Sequence, residues 1–265
     1  MLTTISSAAT SFAASVISRE TSLVAALHRD STGEPVRQIQ EWLTFHGLGI
    51  KVDGEFGAAT ETAVLAFQKQ ASLPATGIVD EMTFDALISP LTAALQPLDD
   101  SGVLSQDAPR YAEQHLAQRP REVGGPNCGP WVRLYMNGAE GADFPWCAGF
   151  ACFVLRQASA GQPLPFVPSI SCDEIGSRAK DRGVFREGGP DFDTSQLRTG
   201  SLFLVRRPGD GGGVGWHHTG IVVGMAKGAV TTIEGNTNDS GSREGFEVCK
   251  RVRATTVLDF VVLPE

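Results

Sequence analysis

The sequence predicts an α+β protein: a small three-helix domain, then a larger domain with helices packed on an antiparallel sheet. Three observations carry that expectation. Apolar residues recur at helical spacing in segments as far as Ala179. From Gly200 the period changes to two. Helices followed by consecutive strands, rather than alternating with them, favour an antiparallel sheet. At 265 residues the chain suits two modest domains.

Residues 1–33 read as an amino-terminal segment, either a weak helix on Phe12, Val16, Leu23, Val24 and Leu27 or a stretch without fixed structure. Residues 34–92 read as the three-helix domain. Pro35 suits the first turn of a helix, and Val36, Ile39, Leu43 and His46 recur on its apolar face. Gly47, Gly49 and Asp53-Gly54 supply turn chemistry. Thr60, Ala63, Val64 and Phe67 share one face of a second helix; after the Leu73–Gly77 loop, Met82, Thr83 and Leu87 mark a third. Residues 93–118, with Pro97, Asp99-Asp100, Ser101-Gly102 and Pro109, read as a linker with a short helix near Tyr111–Leu116. Residues 119–265 read as the second domain. Its helices are expected around Trp131–Tyr135, from Cys147, and around Ile175–Ala179, with a Pro-rich loop from Gly161 to Pro168. Its strands are expected over 201–205, 218–223, 230–234, 246–252 and 257–263.

Composition excludes several classes. The net charge is -8: residues 1–118 carry 14 acidic and 6 basic side chains, and residues 119–265 carry 16 of each. Neither half has the basic footprint of a nucleic-acid binder. No apolar run of the length a bilayer requires is present, so no membrane insertion is expected. Five cysteines, an odd number, argue against a disulfide framework and for synthesis in a reducing compartment. Met1–Ser18 lacks the basic start and unbroken apolar core of a secretory leader.

The chemistry centres on Pro145-Trp146-Cys147-Ala148-Gly149-Phe150. Pro145 disfavours helix for the residue before it. From Cys147 onward small and large apolar residues alternate on a buried stripe, which puts Cys147 in the first turn of a helix. Unpaired N–H groups there favour an anion and hence a thiolate. Farther on, Trp216–Gly224 and Val230–Asn236 form a hairpin if the turn falls within Met225–Ala229. Pairing Gly224 with Ala229 or Val230 then brings His218 opposite residue 235 or 236, with Glu234 and Asn236 on one face within its reach. His217 points the other way, and Gly220 leaves room beside the His218 ring. An imidazole whose second nitrogen is held by a polar partner is what a cysteine nucleophile needs.

Two resemblances sharpen this. Val36-x2-Ile39-Gln40-x2-Leu43, Val52-Asp53-Gly54-x-Phe56-Gly57-x2-Thr60, Ala63-Val64-x2-Phe67-Gln68 and Leu73-x2-Thr76-Gly77-x-Val79 together resemble the peptidoglycan-binding domain of bacterial cell-wall enzymes. That likeness implies a glycan or stem-peptide groove near the Asp53–Thr60 loop, with Asp53 and Phe56 as binding residues, or a spacer role. Pro145-Trp146-Cys147-Ala148-x-Phe150, His218-x-Gly220-Ile221-Val222 and Glu234-x-Asn236 look like the CHAP family of cysteine- and histidine-dependent amidohydrolases and peptidases. The resemblance implies a papain-like fold and cleavage of an amide bond in peptidoglycan through a thioester. Cys147 would be nucleophile, His218 base and Glu234 the orienting group, with Asn236 in support and no cofactor or metal. Where many members carry Gly-Gln before the cysteine, Pro145 and Trp146 stand here, which leaves the Cys147 N–H as one oxyanion donor and the second unassigned.

Trp146 and Trp216 flank the two motifs and either line a substrate groove or shield the site. Cys128, Cys152, Cys172, Cys249 and His217 lack the spacing of a zinc site, and Cys128 and Cys172 are candidates to approach each other. Asp191-x-Asp193 and Asn236-x-Asn238-Asp239 lack full calcium-loop spacing and read as turn and cap residues. The expected protein is a monomeric peptidoglycan amidase or endopeptidase made in the bacterial cytoplasm and acting in the periplasm or wall. It would arrive without a signal peptide, as a phage lysin or as a secreted antibacterial effector opposed by an immunity protein. The Pro208–Gly215 loop would be a rim for that contact. The competing reading is a non-catalytic wall-binding or interaction protein with an inactive papain-like domain.

Overall fold

The computed structural model describes residues 8–207, 215–238 and 245–264. Its helices are α1 (Ala14–Glu20), α2 (Glu34–Phe45), α3 (Ala58–Gln70), α4 (Glu81–Leu87), α5 (Ser89–Ala94), α6 (Leu104–Ala117), α7 (Pro130–Tyr135), α8 (Cys147–Ala158) and α9 (Cys172–Asp181). The strands are β1 (Phe185–Arg186), β2 (Leu202–Arg206), β3 (Trp216–Ala226), β4 (Ala229–Thr237), β5 (Glu247–Ala254) and β6 (Leu258–Val261). The expected α+β class holds. The described residues form two compact units, one from Ala13–Gln96 with Arg121–Asp143, the other from residues 8–12 and Pro97–Pro120 with the residues from Phe144 onward.

In the first unit Val36, Ile39, Leu43, Val64, Phe67 and Leu87 are buried, as helical spacing predicts. Met82 is exposed, and Phe84 takes the inward place expected for it. Two buried glutamines organise the turns. Gln40 accepts from the N–H groups of Asp53 and Gly54 and donates to Asp53 Oδ1, the Glu55 carbonyl and Thr60. Gln68 repeats the arrangement, accepting from Gly77 N–H and donating to the Ile78 carbonyl, Thr76 and Thr83. A primary amide serves this role because it donates and accepts at once.

Residues 27–33, expected to stand apart, are strapped onto those turns. Leu27 pairs with Val79, Phe56 N–H donates to the Ser31 carbonyl, and Gly33 N–H to that of Gly54. Residues 121–143, expected with the second domain, pack in this unit. Trp131 meets Trp42 edge-on with centroids 6.3 Å apart. Arg133, 5% exposed, bonds Glu20 at 2.8 Å, Glu41 at 2.6 Å and Glu140 at 2.9 Å. Helical periodicity announced α7 but not its partners.

In the second unit the six strands are antiparallel in the order β1-β6-β2-β3-β4-β5. The expected linker contains α6, a helix of 14 residues. Its interior Pro109 has no N–H for the Ser105 carbonyl, and the Thr199 hydroxyl donates to that oxygen instead at 2.9 Å. Asp107 accepts from Ser101 N–H and the Tyr111 hydroxyl from Leu98 N–H, so the turn-rich approach is tied down rather than loose. The helices α6 and α8 pack on each other and on β3 and β4, while α9 packs on β3 and β1. Leu197, Phe203, Val222, Val230, Leu258 and Phe260 form a further apolar cluster.

The β3–β4 hairpin turns at Lys227-Gly228, within the expected window. Gly224 pairs with Thr231 rather than with Ala229 or Val230, and an irregularity after Val222 then sets Ile221 across from Ile233.

Candidate functional site

Cys147 is the first residue of α8, preceded by Trp146 as N-cap with no side-chain cap. Its amide is thus among the orphan donors of the helix start. The close seating of α8 on β4 depends on Gly235, where a Cβ would lie 2.7 Å from both Phe150 and Trp146. The Cys147 thiol is buried, and its Sγ lies 3.8 Å from Cys172 Sγ at the first position of α9. The Cys172 thiol and, next to it, the His218 imidazole and the Thr219 N–H hold the Cys147 pKa well below the ordinary thiol value, against the effect of burial. Cys172 is pushed up by the same contact and by burial.

His218 stands on β3, 3% exposed. Its Nε2 meets Glu234 Oε2 at 2.8 Å. Its Nδ1 makes no formed hydrogen bond and is the nitrogen left to exchange a proton. Burial lowers the imidazole pKa, but Cys147 and then Glu234 outweigh it and raise the value to about 9. Both shifts favour a protonated imidazole beside a thiolate.

Glu234 is fully buried and satisfied on both oxygens. Arg253 Nε donates to Oε1 at 2.6 Å, Arg253 Nη2 also donates to Oε2, and Thr232 donates to Oε1 at 2.6 Å. Burial raises its pKa, yet Arg253 and His218 bring it down to about 2. The opening left by Gly220 serves this carboxylate: a Cβ there would lie 2.9 Å from Glu234 Cγ.

In the second unit the assignment of Asn236 changes, and the open question over Trp146 and Trp216 is decided. Asn236 was expected to support His218. Its Oδ1 accepts from Trp146 N–H at 3.2 Å and its Nδ2 donates to the Gly245 carbonyl at 2.7 Å. It therefore positions the start of α8, from a backbone with φ of 54° that asparagine tolerates. Trp146 is fully buried, and Trp216 is 3% exposed with its Nε1 donating to Asp259 at 2.8 Å and Lys180 over its ring. Indoles so enclosed pack the unit and do not wall a groove.

In the first unit Phe56 is 1% exposed and belongs to the core rather than to a binding surface. Asp53 keeps partial exposure, but its Oδ1 is taken by Gln40 and Glu55 N–H, which hold its carboxyl below the usual range. Its first duty is to build the loop.

Sequence reasoning missed Cys172 as the neighbour of Cys147 and Arg253 as the partner of Glu234. Arg253 was readable in part. Residues 250–254 alternate exposed and half-buried, placing Arg251 and Arg253 on the inner side, where an arginine calls for a carboxylate. Asp193 caps the turn at 194–196, as expected. Asp239 and the 208–214 portion of the proposed rim lie outside the described residues. Among the described residues no cluster of three or more His, Cys, Asp or Glu is arranged to hold a metal ion, and no helix is long and apolar enough to cross a membrane.

Comparison with known proteins bears on the first unit. Residues 32–87 match the peptidoglycan binding domain family. Among solved structures, the SleB N-terminal domain is 33% identical over 26% of this chain and 93% of its own, with a TM-score of 0.25. A peptidoglycan-binding protein from Clostridioides difficile, in complex with glutamine hydroxamate, is 35% identical over 26% of this chain and 42% of its own, also with a TM-score of 0.25. No match was found among curated proteins.

Proposed function

We propose that the chain, which carries a peptidoglycan-binding domain at residues 32–87, is a cell-wall hydrolase that cleaves an amide bond with Cys147. The observation that carries this reading is a buried chain of three groups. The chain runs from the Cys147 sulfur to a His218 ring whose Nε2 is held 2.8 Å from an ionised, Arg253-paired Glu234. A thiolate and an imidazolium side by side are the working state of a cysteine nucleophile.

In the proposed cycle the Cys147 thiolate attacks the amide carbonyl, with the Cys147 N–H at the helix start as one donor to the oxyanion. The His218 Nδ1 proton passes to the leaving nitrogen, and the C–N bond breaks to leave a thioester. Water then attacks the thioester carbon, gives its proton to His218, and releases the acid and the thiolate. Glu234 keeps Nε2 protonated and the ring oriented throughout. The first unit would hold the wall polymer and raise the local concentration of amide bonds at Cys147. Phage lysin and secreted antibacterial effector are the settings this reading fits, the latter with an immunity protein as partner.

The test is digestion of purified peptidoglycan by wild type and by Cys147→Ala, with products resolved by mass spectrometry. New amide-cleavage products are expected from wild type alone, and their masses identify the bond. Equal products from both proteins would remove Cys147 from the chemistry. Wall binding by both with cleavage by neither would favour the non-catalytic reading.

A further inference from the structure

Five cysteines occur, and the cycle above uses one. Cys152 is buried, donates to the Ser169 carbonyl at 3.3 Å and is pushed up to about 11, the environment of an inert core thiol. Cys249 is buried on β5, and Cys128 lies in the other unit. Cys172 differs. It opens α9 as Cys147 opens α8, and the two sulfurs are 3.8 Å apart with both thiols free. A disulfide needs sulfurs about 2 Å apart and modestly spaced backbones. Closing the gap therefore asks for movement of under about 2 Å, within reach of side-chain rotation at two helix starts.

We infer that Cys147 and Cys172 form a reversible disulfide under peroxide, a modification that switches off the proposed nucleophile and protects it from irreversible oxidation. The inference rests on the reading of Cys147 as nucleophile for its consequence, not for its chemistry. The Cys147 thiolate attacks one oxygen of hydrogen peroxide; the O–O bond breaks, hydroxide leaves, and Cys147 carries a sulfenic acid. Cys172 sulfur then attacks the Cys147 sulfur. The S–O bond breaks, water leaves with the Cys172 proton, and the S–S bond forms. Two sulfurs give up two electrons and one peroxide is reduced to water and hydroxide. Without Cys172 the sulfenic acid has no resolving thiol beside it and proceeds to sulfinic acid, which thiol reductants do not reverse.

The experiment treats the full chain with hydrogen peroxide, alkylates remaining thiols, and maps peptides by non-reducing mass spectrometry. The expected product is a peptide pair linked through Cys147 and Cys172, two hydrogens lighter than the reduced pair. Wall cleavage should fall at least about tenfold and return on addition of dithiothreitol. Peroxide-treated Cys172→Ser and Cys172→Ala should carry sulfinic acid at Cys147 and recover no lost cleavage with dithiothreitol. Sulfinic acid at Cys147 in wild type without the linked pair would overturn the inference, as would a disulfide to another cysteine. Because the linked pair is scored by mass, a reduced wild type that cleaves no wall would refute the proposed function while leaving the disulfide decided separately.

Discussion

Two buried hubs, one in each unit, handle charge in opposite ways. In the first unit Arg133 collects the carboxylates of Glu20, Glu41 and Glu140. In the second, Glu234 collects the imidazole of His218, the guanidinium of Arg253 and the hydroxyl of Thr232. A guanidinium does not lose its proton in the working range. The Arg133 hub therefore ties α1, α2 and α7 together with no group able to release a proton through the guanidinium. The Glu234 hub contains a ring whose proton can leave, and Nδ1 of that ring is open toward a thiol. Burial and ion pairing mark both hubs equally, so neither feature identifies a site. What separates scaffold from chemistry is a member that can trade a proton with something outside the hub.

The largest effect is expected from Glu234→Gln. Turnover on peptidoglycan should fall about 10²- to 10⁴-fold with the fold retained, the size expected when a histidine loses its orienting carboxylate. Wild-type turnover in that variant would make the second hub a scaffold like the first. Next in size is Arg133→Met, which leaves the buried Glu20 and Glu41 only the longer contacts of the more exposed Arg19 and Arg37. Denaturant unfolding should show a loss of about 3–5 kcal/mol, partly restored by adding Glu20→Gln and Glu41→Gln. An unchanged midpoint would mean that packing around Trp131 suffices.

Titration sharpens the contrast. His218 is raised to about 9, so if it protonates the leaving nitrogen as in the proposed cycle, turnover should fall as pH rises through about 9. The same shift contributes stability that is fully present below the unfolded histidine value near ~6.5 and lost as pH rises through about 9. Glu234, lowered to about 2, contributes stability present above about 4.5 and lost as pH falls toward about 2. Arg253→Gln should move the alkaline limb of the pH–rate profile to lower pH, because a less firmly ionised Glu234 supports the imidazolium less well. An unmoved limb would confine Arg253 to packing. The smallest effect is expected from Asn236→Ala, about 1–3 kcal/mol in unfolding free energy with no displacement of that limb. Its amide serves Trp146 N–H and the Gly245 carbonyl, not the ring.

Local repeats in the amino-acid sequence account for much of the architecture. Helical spacing located α2, α3, α8 and α9, period-two alternation located β2 to β6, and the turn residues near Gly228 set the hairpin. From these alone Cys147 fell at a helix start and His218 within reach of Glu234, because a hairpin and its alternation convert sequence distance into spatial distance. The remainder depends on contacts between segments distant in sequence. Periodicity says which face of α7 is buried but not that Arg133 meets Glu20 and Glu41 there. It leaves open which cysteine lies beside Cys147, which cation holds Glu234, and whether Asn236 serves the imidazole or the helix start. The indoles of Trp146 and Trp216 are amphipathic, suited to groove or core alike, and packing against Gly235 and α9 sent both inward. Local pattern encodes which side of an element is turned from water. The partner waiting on that side comes from elsewhere in the chain, and only the folded packing brings it there.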